Sequence, residues 1–327
     1  MLQKQDMIIA LNGGQPYTAV PVWELEFHPW NLFHKNSVIV GTAFQNLPSS
    51  QQDKVLHNNA EVMIDVAEKL YFSAITVPGG YWEVAPGHPA YFWLPEKARY
   101  EQIRILKKMA PDNLMLIAGS GGILAMPSAD EYVTFSCELL EYPEKIESRA
   151  KSCLNAGLET ARHLFDCGID TVYSASDLAD NHGPYFNPDQ MQRLILPYLS
   201  DWATTIRSMQ KFCILHSDGN LMPTLDQIAD SDIHALQAID PVAGMDMKTV
   251  KGKVAGRICL CGNVDCGLLL TGTPETVYES TRALLEENKS GGGLVLGASN
   301  AVQEETPSEN YLAMIEAWKR FGQYEFQ

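Results

Sequence analysis

Eight short apolar runs, rich in β-branched residues, recur along the chain and are separated by longer stretches with helical spacing. The runs are Ala19–Glu24, Phe72–Val77, Leu114–Ala118, Thr171–Ser174, Phe212–His216, Ala235–Ile239, Arg257–Cys261 and Leu294–Gly297. Runs of this length predict buried parallel strands. Between them, apolar positions follow a helical period over Asn59–Leu70, Pro95–Met109, Glu147–Cys167, Pro188–Met209, Pro274–Asn288 and Pro307–Phe321. Several of these open on a proline, which suits the first helical turn. Thr306 and Glu309 offer a capping box for the last. Strands alternating with helical crossovers predict an α/β fold, a single (β/α)₈ TIM barrel spanning residues 1–327. Long loops at 79–95 and 119–144 would stand at its C-terminal face. A doubly wound open sheet is the alternative, but no G-x-G-x-x-G opens a helix after the first strand.

With 327 residues, 46% of them apolar, the chain can build one such core. No stretch approaches the run of about 20 apolar residues that spans a bilayer. The first residues show neither a long apolar segment nor a small-residue cleavage site, and the seven cysteines follow no disulfide framework. A reduced, cytoplasmic protein is expected. The net charge of −16 excludes nucleic acid and anionic membrane surfaces as natural partners.

In a barrel the C-terminal strand ends carry the chemistry. Here those ends are polar: Glu24 and Glu26, then Asp177, Asp180 and Asn181, then His216, Asp218 and Asn220, then Asp240, then Asn263 and Asp265, then Asn300. A lone Asp or Asn after a strand usually caps a helix or forms a turn, and Asp240, Asp246 and Ser299 are read that way. His216-x-Asp218 is read differently. An i, i+2 pair at a strand end points to one side, and imidazole with carboxylate can bind a metal or trade protons. Cys259-x-Cys261 lies inside a predicted strand and is read as core.

Residues 79–96, 119–144, 172–192, 216–247, 258–281 and 294–318 contain no Lys or Arg, and the first arginine is Arg99. Acids are plentiful in these segments. Aromatic residues such as Trp23, Phe27, Trp30, Tyr81, Trp93, Tyr185 and Phe186 accompany them. A rim of this kind repels polyanions and favours a neutral aromatic or methylated substrate, a cationic one, or a metal ion.

Six segments carry a resemblance: ALNGGQPYTAVPVWELEF, SASDLADNHGPYFNPDQMQRLILPYL, ILHSDGN, LQAIDPVAGMDM, CLCGNVDCGLLLTGTPETV and GGGLVLGASNAVQEETPSENYLAMIEAWKRFGQY. In this order they resemble the uroporphyrinogen decarboxylase superfamily over nearly the whole chain. The resemblance implies a (β/α)₈ barrel and includes both true decarboxylases and zinc-dependent, corrinoid-linked methyltransferases. The decarboxylases hold an octa-carboxylate tetrapyrrole with an Arg-rich segment near the N-terminus, where this chain has Glu24 and Glu26. The thiol-activating methyltransferases hold zinc with His-x-Cys and a later Cys. Asp218 and Asn300 stand near those cysteine positions here. The resemblance therefore implies a site of oxygen and nitrogen ligands, or one without metal, in methyl transfer or O-/N-demethylation with a corrinoid protein. His216 and Asp218 would protonate the leaving group, alone or through a divalent metal such as zinc. Asp177 and Glu24 complete the catalytic set. Trp23, Glu26, Tyr81, Asn181, Asn220, Asn263, Asp265 and Asn300 would contact the small-molecule substrate. The corrinoid would arrive on a separate partner protein, and a homodimer is suggested. Decarboxylation of uroporphyrinogen or of a smaller acid is the alternative, followed by a non-catalytic binding module.

Overall fold

The computed structural model describes residues 4–78 and 93–324. Nine strands are present among them: β1 Ala74–Thr76, β2 Met115–Gly119, β3 Thr171–Ala175, β4 Ala179–Asp180, β5 Gly183–Pro184, β6 Phe212–His216, β7 Ala235–Gln237, β8 Cys259–Cys261 and β9 Leu294–Val295. Seven form one parallel sheet in the order β1-β2-β3-β6-β7-β8-β9, and β4 and β5 make a small antiparallel hairpin. The order follows the chain, each strand of this sheet lying parallel beside the next.

The predicted first strand, Ala19–Glu24, is not a regular strand. Val22 makes single parallel bridges to Phe72, just before β1, and to Leu296, just after β9. Its carbonyl accepts from Ser73 N at 2.8 Å, and Trp23 N donates to Leu296 O at 2.9 Å. The segment therefore lies between the two edges of the curled sheet. Pro21 has no N–H for the ladder, which limits the pairing. A closed ring of eight regular strands is thus absent among the described residues.

Two apolar layers follow from the period of two. Ala74, Met115, Ile117, Tyr173, Ile214, Ala235, Cys259, Cys261 and Val295 pack with Trp23 and Leu25 on the inner face. Their neighbours Ile75, Leu116, Ala118, Val172, Cys213, Leu215, Leu236, Leu260 and Leu294 face the helices. Cys259 and Cys261 are core residues, as expected. The helix Lys4–Leu11, unmarked in the sequence reading, adds Met7, Ala10 and Leu11 to the inner cluster. Lys4 Nζ lies 2.7 Å from Asp170 Oδ1, immediately before β3, so this helix covers the N-terminal end of the sheet. The C-terminal end is left for chemistry.

The segment predicted as one helix from Pro188 is interrupted. A π-helical turn, Met191–Ile195, precedes the helix Leu196–Ser208. Pro197 cannot donate to the carbonyl four residues back, and the wider turn accommodates that loss.

Candidate active site

His216 ends β6 with its side chain buried. Its Nδ1 lies 2.5 Å from Gln237 Oε1 on β7. The Gln237 amide nitrogen faces only carbonyl oxygens, Ala298 O at 3.3 Å and Ser299 O at 3.5 Å. That arrangement fixes the amide with its oxygen toward the imidazole, so Nδ1 carries the proton and Nε2 presents a lone pair. Nε2 faces Asp177 Oδ1 at 3.7 Å and Asp218 Oδ2 at 3.9 Å.

Asp177 follows β3 and Asp218 follows β6, neighbours in the sheet. Asp218 N donates to Asp177 Oδ1 at 2.9 Å, and Asn300 Nδ2 donates to Asp218 Oδ2 at 2.5 Å. The turn at Gly219 is tight: its φ is +83°, and a β-carbon there would stand 2.4 Å from Ala179 O. Burial pushes the Asp218 carboxyl up to about 6, and the charges of Asp177 and Asp240 add to the rise, while His216 and Asn300 oppose it.

One ligand atom each from Asp177, His216 and Asp218 falls within a 4.8 Å cluster. A tetrahedral ion bonded at roughly 2.1 Å wants its ligands about 3.4 Å apart. The two separations from Nε2 exceed that by only a few tenths of an ångström. The donor set of one neutral nitrogen and two carboxylates suits a divalent cation, and Gln237 supplies the outer hydrogen bond that orients a ligating histidine. The residues fit the metal.

Other sequence candidates take different places. Glu24 is sealed in. Its Oε1 accepts from the Tyr311 hydroxyl at 2.7 Å and its Oε2 from Ala298 N at 2.8 Å. Burial raises its pKa to about 8. It joins the first segment to the C-terminal helix Ser308–Phe321 and is not a free catalytic acid. Trp23 lies in the inner core and donates through Nε1 to Thr76 Oγ1 at 2.9 Å, so it offers no substrate-contacting face. Phe27 and Trp30 pack edge to face, 4.9 Å between ring centres, and both are buried. Glu26 is buried with Oε2 3.3 Å from His28 Nε2.

Asp180 holds the β4–β5 turn by accepting from His182 N and Gly183 N, and leaves Asn181 exposed. Asn220 accepts from Met222 N at 3.1 Å. Asn263 Nδ2 donates to Ile239 O at 2.6 Å, and Asp265 caps the helix Cys266–Thr271 through Gly267 N. Asn263 and Asp265 also line a groove of about 380 Å³ walled by Asp246 and Glu287. Of the seven proposed contact residues that are described, Asn300 alone is hydrogen-bonded to the His216 cluster. Tyr81 lies outside the described residues.

The charge expectation needs a correction. Arg99, in the helix Glu96–Met109, sends its guanidinium to the Gly119 carbonyl at the C-terminal end of β2. A helix residue therefore supplies a cation that the loop sequences do not. Gln237 is the other omission. A glutamine in the middle of the apolar run ALQAI was the signal that could have found it.

The curled parallel α/β sheet brings a histidine and two carboxylates together at its C-terminal end, the place where barrel folds carry their sites. The chain belongs to the uroporphyrinogen decarboxylase (URO-D) family, whose model matches residues 96–321. Uroporphyrinogen decarboxylase from Coxiella burnetii is 25% identical over 237 residues, 68% of this chain and 62% of that protein. The methylcobamide:CoM methyltransferase MtbA from Methanosarcina mazei is 26% identical over 170 residues, 52% of this chain and 47% of that protein. The chain thus spans about six-tenths or less of the length of these curated relatives. A solved methyltransferase from Methanosarcina mazei superposes with a TM-score of 0.72 at 19% identity, covering 98% of this chain and 99% of that one. No helix among the described residues is long and apolar enough to cross a membrane.

Proposed function

We propose that this chain is a methyltransferase or demethylase working with a corrinoid protein on a small molecule. In this reading the segment at Val22 completes an eight-membered (β/α)₈ ring. His216, Asp177 and Asp218 would hold a divalent metal, with zinc the first candidate. The observation that carries the reading is the His216 ring, locked by Gln237 so that Nε2 faces two carboxylates. When bound, the metal supplies Lewis acidity to the heteroatom that loses its methyl group. His216 and Asp177 position that heteroatom, and Asn300 keeps Asp218 turned inward. The carbon–heteroatom bond would break with its electron pair left on the heteroatom, which takes up a proton from water. A reduced corrinoid brought by the partner would supply the nucleophile that receives the methyl group. The kinship with methylcobamide:CoM methyltransferases supports methyl transfer in a corrinoid system, without fixing its direction.

The test uses metal-loaded protein, reduced corrinoid protein and a panel of methyl ethers and methylamines. A cobalt spectral change that disappears in His216→Ala is expected. No change with any donor, together with formation of coproporphyrinogen from uroporphyrinogen, overturns the reading in favour of decarboxylation.

A further inference from the structure

Arg99 is an unusual cation in this molecule. Its Nε is buried and has no hydrogen-bond partner. Among the described residues, its hydrogen bond runs from one terminal nitrogen to Gly119 O. Among the described residues no carboxylate comes within the 4.0 Å that defines an ion pair with it. Other arginines pair readily: Arg193 with Glu147, Arg257 with Asp226 and Asp230, and Arg282 with Glu279 and Glu286. Those pairs are on the surface, where a counter-ion matters little. Arg99, half-buried with its Nε sealed from water, has no such pair among the described residues, although a guanidinium withdrawn from water has most need of one.

Its surroundings are built around it. Gly119 is register partner to Tyr173 on β3, and a β-carbon at Gly119 would stand 3.0 Å from the Tyr173 ring. The glycine lets the ring lie against the backbone that receives Arg99. The Tyr173 hydroxyl feels both the Arg99 and the Glu26 charges, so the three groups share one neighbourhood. Gly119 ends β2, Asp177 follows β3, and His216 ends β6, all at the C-terminal end of adjacent strands. A guanidinium has five N–H donors in a planar fork that matches a carboxylate edge to edge. Here one terminal nitrogen is engaged, and Nε, sealed from water, is left without a partner.

We propose that Arg99, with the Tyr173 hydroxyl beside it, is an anion subsite that anchors the carboxylate of a small substrate at this end of the sheet. The proposal deepens the preceding one only in assuming that the substrate binds here. It makes the substrate a small organic acid, whose anionic head rests on β2 and β3 and whose reacting atom reaches β6. A single guanidinium suits one carboxylate and not a polyanion.

Benzoate and benzamide serve as probes, with binding followed by calorimetry on the full chain after chelation of metals. Benzoate binding is expected to weaken at least tenfold in Arg99→Gln and severalfold in Tyr173→Phe, to survive in Arg99→Lys at reduced affinity, and to remain unchanged in Arg282→Gln on the surface. Benzamide should bind far more weakly than benzoate. Benzoate affinity unchanged in Arg99→Gln, or absent in the metal-free parent protein, overturns the subsite. If Arg99→Gln does not fold, the comparison of Arg99→Lys with the parent decides: equal affinity counts against the bidentate contact. Loss of the cobalt reaction with benzoate binding intact would instead defeat the proposed function and leave the subsite standing.

Discussion

His216 and Gln237, side by side at the ends of β6 and β7, form the contact that sets the chemistry of the site, 2.5 Å from Nδ1 to Oε1. Without it the imidazole could rotate or change tautomer, and Nε2 would no longer be reserved for a ligand. Gln237→Leu should therefore weaken zinc or cobalt affinity about 10- to 100-fold, the usual cost of losing such an outer partner. Gln237→Glu keeps an acceptor at Nδ1 and should retain most of the affinity. Competition titration with a chromophoric chelator measures both, and equal affinity in Gln237→Leu and parent would contradict the assignment.

Asn300 and Asp218 define a second test. The Asn300 amide holds the Asp218 oxygen that faces His216, while Asp177 is fixed independently by the Asp218 backbone. Asn300→Ala should lower metal affinity less than Asp218→Ala does, because it frees a ligand without removing it. Elemental analysis of the purified variants should show roughly one equivalent of metal retained in Asn300→Ala after loading, and little in Asp218→Ala. Full loading of Asp218→Ala would remove that carboxylate from the metal set.

How far the sequence spoke for itself differs between scaffold and site. Seven strands were legible because a buried parallel strand leaves a short β-branched run that few other structures produce. The eighth run was misread because apolar content does not reveal that Pro21 breaks the ladder. His216 and Asp218 were legible because ionisable residues at a strand end are conspicuous. Glu24 has the same appearance, but it is turned outward against Tyr311 while Trp23 and Leu25 point inward, and one residue of register decides that. Part of the aromatic rim is lost for a similar reason: Phe27 and Trp30 are packed against each other in the core. Arg99 entered only as the first arginine of the chain, since nothing in a helical period tells which charged position reaches across to a neighbouring strand.

Glu24 predicts a pH dependence of stability. Its folded pKa, about 8, lies above the ordinary 4.5 because burial penalises the anion. Between those values the folded chain holds a proton that the unfolded chain has released. Stability must therefore fall as pH rises from 4.5 to 8, with a slope of up to about 1.4 kcal/mol per pH unit from this one group. Glu24→Gln removes the titration and should flatten that part of the profile in urea unfolding. Tyr311→Phe leaves one buried carboxyl oxygen without its donor and should cost about 1–3 kcal/mol. A Glu24→Gln profile parallel to the parent's would show that the carboxyl does not carry the dependence.

His234 should act with the opposite sign. It is buried beside β6, where its Nδ1 accepts from Cys213 N at 3.1 Å and its ring lies 4.8 Å, centre to centre, from Phe212. Burial, helped by the Arg207 charge, lowers its pKa from 6.5 to about 3. The folded chain keeps the imidazole neutral while the unfolded chain takes up a proton, so stability present above pH 6.5 is lost as pH falls toward 3. The slope is again limited to about 1.4 kcal/mol per pH unit for one proton. His234→Asn retains an acceptor near the Nδ1 position but does not titrate. It should be less stable than the parent at pH 7 because ring packing is lost, yet the two should converge as the pH approaches 4. Denaturant midpoints measured from pH 7 to pH 4 would show this narrowing gap, and a gap constant across that range would exclude His234 as a source of acid sensitivity.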